Sequence, residues 1–273
     1  MPLTAFQQSV LRLLARNRTP DSYLAGGAAL HFAPTSQRFS IDLDFFHDSE
    51  ERVASAFAAD AELLREAGFT VEVELSQPGH IRSLVSRGED STRIDWAHDT
   101  AWRFMPPVRD DQGGYLLHEI DLAINKLLAL AGRDEPRDYV DILYVHERIL
   151  PLGPLCWAAA GKDPGFTPHS LVELLKRRGR PRQEELDRLH LVEPLDVVSA
   201  KERWLRALEE AESFVDSRPA PELGCLYYSP DRKAFVVPKA DVPLADQGIV
   251  VHFGSPGGVL PQPSGTPIAP REV

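Results

Sequence analysis

Tyr23-Leu24-Ala25-Gly26-Gly27-Ala28-Ala29-Leu30, followed downstream by Arg38-Phe39-Ser40-Ile41-Asp42-Leu43-Asp44-Phe45-Phe46, is the stretch whose reading decides the fold. In its second half, apolar and acidic residues alternate. Side chains of a β-strand point to opposite faces in turn, so Asp42 and Asp44 share one face while Ile41, Leu43 and Phe45 share the other. The two acidic residues then stand roughly 6–7 Å apart at Cα. Carboxylates this close resist joint ionisation unless a cation lies between them. Mg²⁺ suits that place, because it takes one or two carboxylates together with substrate phosphate oxygens. A bare Asp-x-Asp is common and by itself reads as a wet strand face. The first half of the stretch changes the reading. Tyr23-Leu24-Ala25 looks like a strand end, Gly26-Gly27 a turn, and Ala28-Ala29-Leu30-His31-Phe32 the start of a helix. Such a junction exposes backbone N–H groups that favour an anion such as a triphosphate, and glycine lets the phosphate come close.

These residues resemble the nucleotidyltransferase signature of the DNA polymerase β-like superfamily. They are most similar to the AbiEii/AbiGii toxin family, which includes the MenT-type toxins. That family has Gly-Gly-Thr-x-Leu or Gly-Ser first and Arg-x-Ser-x-Asp-Leu-Asp-Phe second. This chain keeps Arg38, Ser40, Asp42, Leu43, Asp44 and Phe45, and has Ala28 where a hydroxyl residue is common. The resemblance continues in Thr92-Arg93-Ile94-Asp95-Trp96, an alternating strand on which Asp95 matches the superfamily's third carboxylate. It continues again in Lys126-Leu127 and in Arg133-Asp134-Glu135-Pro136-Arg137-Asp138-Tyr139-Val140-Asp141. Leu117, Ile120, Ile124, Leu127 and Leu128 recur at helical spacing with Lys126 off the stripe, and Asp138 and Asp141 share a helix face.

The resemblance implies an α+β fold: a polymerase β-like mixed sheet with flanking helices, followed by a helical C-terminal domain. It implies a metal-dependent nucleotidyltransferase that uses Mg²⁺ or Mn²⁺ and a nucleoside triphosphate. Asp42, Asp44 and Asp95 would be the metal ligands, and Lys126, Asp138 and Asp141 would complete the catalytic set. Gly26, Gly27, Arg38, Ser40, Lys126 and Arg137 would bind the nucleotide, with Asp138 or Asp141 positioning Lys126, Arg137 or the acceptor. Two ions about 3.5–4 Å apart clamp attacking and leaving oxygens in such sites. The implied acceptor is RNA such as tRNA, and the implied setting is a toxin paired with an antitoxin protein. Transfer to a protein hydroxyl or to a small molecule such as an antibiotic is the alternative. A third reading is a degenerate nucleotide- or partner-binding module.

Composition agrees with these expectations. The chain has 273 residues, 43% of them hydrophobic, a net charge of −11 and a pI near 5.3. No apolar run of membrane-spanning length occurs, and the N-terminus lacks a basic start and apolar signal core, so no membrane partner and a cytoplasmic location are expected. Cys156 and Cys225 have no paired spacing, which argues against a disulfide framework or a zinc site. The acidic balance weighs against a broad nucleic-acid face. Even so, Lys176-Arg177-Arg178-Gly179-Arg180-Pro181-Arg182 holds five basic residues in seven positions. That run reads either as a solvated helix end or as a phosphate-contacting patch.

Three segments are expected: a catalytic domain over 1–115, a helical domain over 116–217, and a hairpin with a Pro/Gly-rich tail over 218–273. Helices are expected near 3–16, 49–67, 118–132, 136–149, 168–178, 182–190 and 195–216. A hairpin is expected about Gln77-Pro78-Gly79-His80, another over 226–237, a late strand or docking segment at 248–253, and poor order over 255–273. His31, His47, His98 and His118 have no metal-ligand spacing, and Trp102-Arg103-Phe104 reads as packing rather than a base-stacking platform.

Overall fold

In the computed structural model, residues 3–32, 36 and 38–262 are described. The polypeptide forms two compact units. The first comprises the chain through Leu122 together with Leu189–Pro194 and Pro256–Gly258. The second comprises Ala123–Arg188, Leu195–Ser255 and the chain from Val259.

The first unit is built on a seven-stranded mixed sheet. Its strands are β1 (Ser22–Ala25), β2 (Asp42–His47), β3 (Thr70–Gln77), β4 (His80–Arg87), β5 (Asp90–His98), β7 (Val108–Asp110) and β8 (Gly114–Leu116), with the short β6 (Trp102–Arg103) outside it. The spatial order is β3-β4-β5-β2-β1-β8-β7. β2 runs parallel to β5 and antiparallel to β1, and β4 is antiparallel to both β3 and β5. The period-2 alternation on β2 and β5 decides what each face holds. Leu43, Phe45, Ile94 and Trp96 are fully buried on one face, where Val10 and Leu14 of α1 (Ala5–Leu14) and Val53, Ala56 and Leu64 of α3 (Glu50–Glu66) also lie buried. Burying each such side chain is worth about 1.5–3 kcal/mol. Both helices start on the caps their sequences provide: Thr4 accepts from Gln7 N in a reciprocal capping box, and Ser49 accepts from Arg52 N.

A buried polar cluster completes that core. Arg18 Nη2 lies 2.6 Å from both oxygens of Asp60, Trp96 Nε1 donates to Asp60 Oδ2 at 2.7 Å, and the Arg18 guanidinium covers the Phe45 ring at 4.4 Å. Arg103, expected as packing, is buried: its guanidinium donates to Asp48 Oδ2 at 2.6 Å and to Tyr23 Oη at 2.6 Å.

α4 (Glu119–Gly132) begins at the end of the first unit and continues into the second. There α5 (Pro136–Arg148), α6 (Leu152–Lys162), α7 (Pro168–Arg177), the short α8 (Gln183–Leu186) and α9 (Val197–Asp216) follow. α6 carries no amphipathic signature and escaped the sequence reading. Every residue from Leu152 to Ala159 is buried, so no polar stripe marks a face. The helix expected over 182–190 shortens to α8. The 226–237 hairpin forms as β9 (Leu226–Ser229) and β10 (Ala234–Phe235), with β11 (Val250–His252) on the other side of β9. Poor order was expected from 255 onward, but Gly257 N donates to Ala101 O at 2.7 Å, which fixes Pro256–Gly258 within the first unit. The remainder of that expectation, residues 263–273, lies outside the described residues.

Candidate active site

Glycine at position 26 decides where β1 ends. Gly26 has φ of +61°, in the left-handed region that L side chains rarely adopt, and it opens α2 (Gly26–Leu30) directly after Ala25. Ala25 pairs with Asp44 across the β1–β2 ladder, which brings Gly26 against the Asp44 side chain. A Cβ at Gly26 would lie 1.9 Å from Asp44 Oδ2. Gly27 makes a second close approach: its Cβ would lie 2.7 Å from Arg38 Nη2 and 3.3 Å from Ser40 Oγ. Gly26, Gly27, Arg38, Ser40 and Asp44, spread over nineteen sequence positions, therefore form one cluster (26 to 44). Arg38 and Ser40 are buried, and Ser40 Oγ donates to Asp42 O at 2.9 Å.

Asp42 and Asp44 are half-buried and share the sheet face opposite Leu43 and Phe45. In register across β2 and β5, Asp42 faces Arg93 and Asp44 faces Asp95. Asp95 therefore belongs to the same face, although its Oδ1 is engaged. Arg82 Nε donates to Asp95 Oδ1 at 2.8 Å, and His80 Nε2 lies 2.5 Å from the same oxygen. Arg82 reaches it because β4 pairs Arg82 directly with Asp95. The Arg93 guanidinium, hydrogen-bonded to Glu74, is held above its ordinary pKa first by that bond, with Asp42 and Asp95 adding to the effect.

One residue that sequence reasoning missed locks this arrangement from the helix side. Gln7 Nε2 donates to Ile41 O at 2.9 Å, to Ser40 O at 3.2 Å and to Thr92 Oγ1 at 3.2 Å, tying the start of β2 to β5. Gln7 is 3% exposed, and a buried polar residue within an apolar helical stripe was the available signal. His80 and Arg82 were missed too. Their signal was the alternation on β4, which places both on one face.

Whether these residues suit a divalent ion is decided by their donors. Asp42 and Asp44 present oxygen ligands on one rigid strand, and Gly26 keeps the space beside Asp44 free of a side chain. That suits a hard cation, which needs only one or two protein carboxylates. Among the described residues no group of three His, Cys, Asp or Glu is arranged to hold a metal, in keeping with the engagement of Asp95 by Arg82 and His80.

The other predicted residues lie in the helical unit. Lys126 Nζ sits 2.8 Å from Asp141 Oδ2 and 3.3 Å from Asp138 Oδ1, and Arg133 Nε donates to Asp138 Oδ2 at 2.7 Å. Both aspartates are fully buried, and Lys126 is 8% exposed. Asp138 and Asp141 share one face of α5 because they are three residues apart, so one lysine meets both. Arg137 is half-buried on the same helix. In the basic run at the end of α7, Lys176 pairs with Glu173 and Glu212, and Arg182 with Glu185. Cys156 and Cys225 are free and buried, and burial pushes both thiols up to about 12.

Comparison with known proteins bears on this geometry. A family model described as "Nucleotidyl transferase AbiEii toxin, Type IV TA system" matches residues 12–223. Among solved structures, MenT4, a nucleotidyltransferase toxin from Mycobacterium tuberculosis H37Rv, is 18% identical with a TM-score of 0.53, covering 79% of this chain and 83% of that one. JHP933 from Helicobacter pylori is 15% identical with a TM-score of 0.46, covering 77% and 91%. At its identity, the likeness to MenT4 is one of fold. No curated protein matches the chain.

Proposed function

The chain belongs to the AbiEii nucleotidyltransferase toxin family of type IV toxin–antitoxin systems, and from that premise we propose that it transfers a nucleotide from a nucleoside triphosphate to an RNA acceptor such as tRNA, with a divalent metal ion held by Asp42 and Asp44. Family membership supports nucleotidyl transfer, a nucleoside triphosphate substrate and a cognate antitoxin. Among the described residues, no helix is long and apolar enough to cross a membrane.

The observation that carries the reading is the contact of Gly26 with Asp44 beside Arg38 and Ser40. It joins a place where a triphosphate is able to approach backbone to a carboxylate pair suited to Mg²⁺ or Mn²⁺. When bound, the ion neutralises phosphate charge and acidifies the attacking hydroxyl. In this reading Gly26 and Gly27 admit the triphosphate close to the main chain, and Arg38 and Ser40 bind its oxygens. Asp95, oriented by Arg82 and His80, takes the proton of the acceptor hydroxyl. Lys126, aligned by Asp138 and Asp141, and Arg137 keep the phosphate-binding roles that the family resemblance implies for them. The bond formed joins the acceptor oxygen to the α-phosphorus, and pyrophosphate leaves. Positioning and electrostatics carry the rate, and no covalent nucleophile is needed.

The test incubates the protein with each α-labelled nucleoside triphosphate, Mg²⁺ and total cellular RNA. Label entering RNA is the expected result. Label entering protein or a small molecule replaces the acceptor, and absence of transfer under all conditions overturns the reading.

A further inference from the structure

The helical unit contains a cavity of about 750 Å³ that the catalytic reading does not use. Its size falls within the range of about 300–1,000 Å³ typical of small-molecule sites. Val197, Val198, Leu205 and Leu208 of α9 supply its apolar wall, and Tyr139 and Trp204 its aromatic one. Val198 is 61% exposed and Leu205 55% exposed, so apolar surface is open at the mouth.

Gly179 shapes the opposite wall. It adopts φ of +65°, and a Cβ there would lie 2.9 Å from Trp204 Cζ2 and 3.0 Å from Tyr139 Cδ2. The basic segment is thereby pressed against both rings. Lys176, Arg180, Arg182 and Lys201 line the same cavity, in a protein whose net charge is −11. Two of these cations have no carboxylate partner among the described residues: Arg180 donates only to Lys176 O, at 2.9 and 3.2 Å, and Lys201 makes no ion pair. Trp204 is 3% exposed, and its indole Nε1 is buried without a hydrogen-bond partner among the described residues.

We propose that this cavity binds a nucleoside phosphate, with the base against the apolar wall that α9 supplies and the phosphate at Arg180 and Lys201. Apolar walls and a cationic mouth match the base and the phosphate of that molecule. An acidic peptide would satisfy the cations but leave the exposed apolar wall of Val198 and Leu205 uncovered. Two sources carry this chemistry: a free nucleotide, and an unpaired residue of single-stranded RNA. The RNA source rests on the acceptor reading above.

Binding is measured by fluorescence anisotropy on the full chain, with a short labelled single-stranded RNA and with each fluorescent nucleoside triphosphate. Wild type is compared with Val198→Trp, which fills the cavity without changing charge, and with Lys201→Gln. Both positions are surface ones, and unchanged melting temperatures establish that the variants fold. Every measurement is repeated in an Asp44→Ala background, so that loss of transfer and loss of cavity binding are read separately. We expect both substitutions to weaken one probe by about tenfold. Weakened RNA binding identifies an acceptor residue as the ligand, and weakened triphosphate binding a free nucleotide. Unchanged binding of both probes overturns the proposal. So does a loss seen with Lys201→Gln but not with Val198→Trp, which would mark a flat charged surface.

Discussion

The Asp44 carboxylate occupies the space that a side chain at position 26 would need: a Cβ on Gly26 would stand 1.9 Å from Asp44 Oδ2 and 2.8 Å from Asp44 Cβ. This relationship ties the glycine turn to the acidic strand, and it makes position 26 sensitive to the smallest substitution.

Gly26→Ala is expected to disturb the site in two ways. The left-handed backbone at φ +61° resists an L side chain, and the added methyl displaces the carboxylate. A strained residue of this kind costs about 1–3 kcal/mol. Urea denaturation should show that loss, and label transfer should fall further than the stability change explains. A variant with wild-type transfer would separate Gly26 from the chemistry.

Asp44→Ala should reduce nucleotide transfer by at least about a hundredfold, the scale of removing one preorganised electrostatic contact. Asp44 is half-buried on the open face of the sheet, so circular dichroism and melting should match wild type. Normal transfer in a metal-replete assay would remove the carboxylate pair from the mechanism.

Asp60→Ala tests the support behind the site. It leaves Arg18 buried without its carboxylate and takes the acceptor from Trp96 Nε1. Removing one partner of a buried pair costs about 3–5 kcal/mol. Equilibrium unfolding in urea measures this, and a change within experimental error would contradict the assignment of Asp60 to the core.

His47 makes stability depend on pH. Both ring nitrogens are buried without hydrogen-bond partners among the described residues, and desolvation, reinforced by Arg18 and Arg52 and opposed by Asp21, lowers its pKa from 6.5 to about 3. Above pH 6.5 the ring is neutral whether folded or unfolded. As pH falls from 6.5 toward 3, the unfolded chain takes up a proton that the folded chain refuses, and stability is lost over that interval. Melting temperatures of wild type and His47→Gln across this range should show a shallower dependence in the variant.

Lys126→Met should destabilise the helical unit as well as slow transfer. It leaves Asp141 buried without its lysine and Asp138 with Arg133 alone. A loss of about 3–5 kcal/mol is expected. If stability is unchanged in urea, the lysine is held too loosely to be aligned by these two acids.

Much of this was legible because it is local. Alternation over Asp42-Leu43-Asp44-Phe45 assigned both faces of β2, and the helices expected over 3–16, 49–67 and 168–178 form as α1, α3 and α7 within a few residues. The three-residue spacing of Asp138 and Asp141 placed them on one face of α5. The helix α6 was not legible, because a segment buried on every side has no period to read. The returns of Leu189–Pro194 and Pro256–Gly258 to the first unit were not legible either, since no local pattern encodes a distant partner.

By itself, the sequence determined the period of each strand, the glycine turn and the side of β2 on which the acids lie, because those follow from dihedral preferences within a few residues. Only the tertiary structure decided that Asp95 stands opposite Asp44 yet is engaged by Arg82 and His80, and that Gln7 holds the start of β2. Those contacts follow from strand register and helix packing, which join residues far apart in the chain and are settled by burial of the whole core.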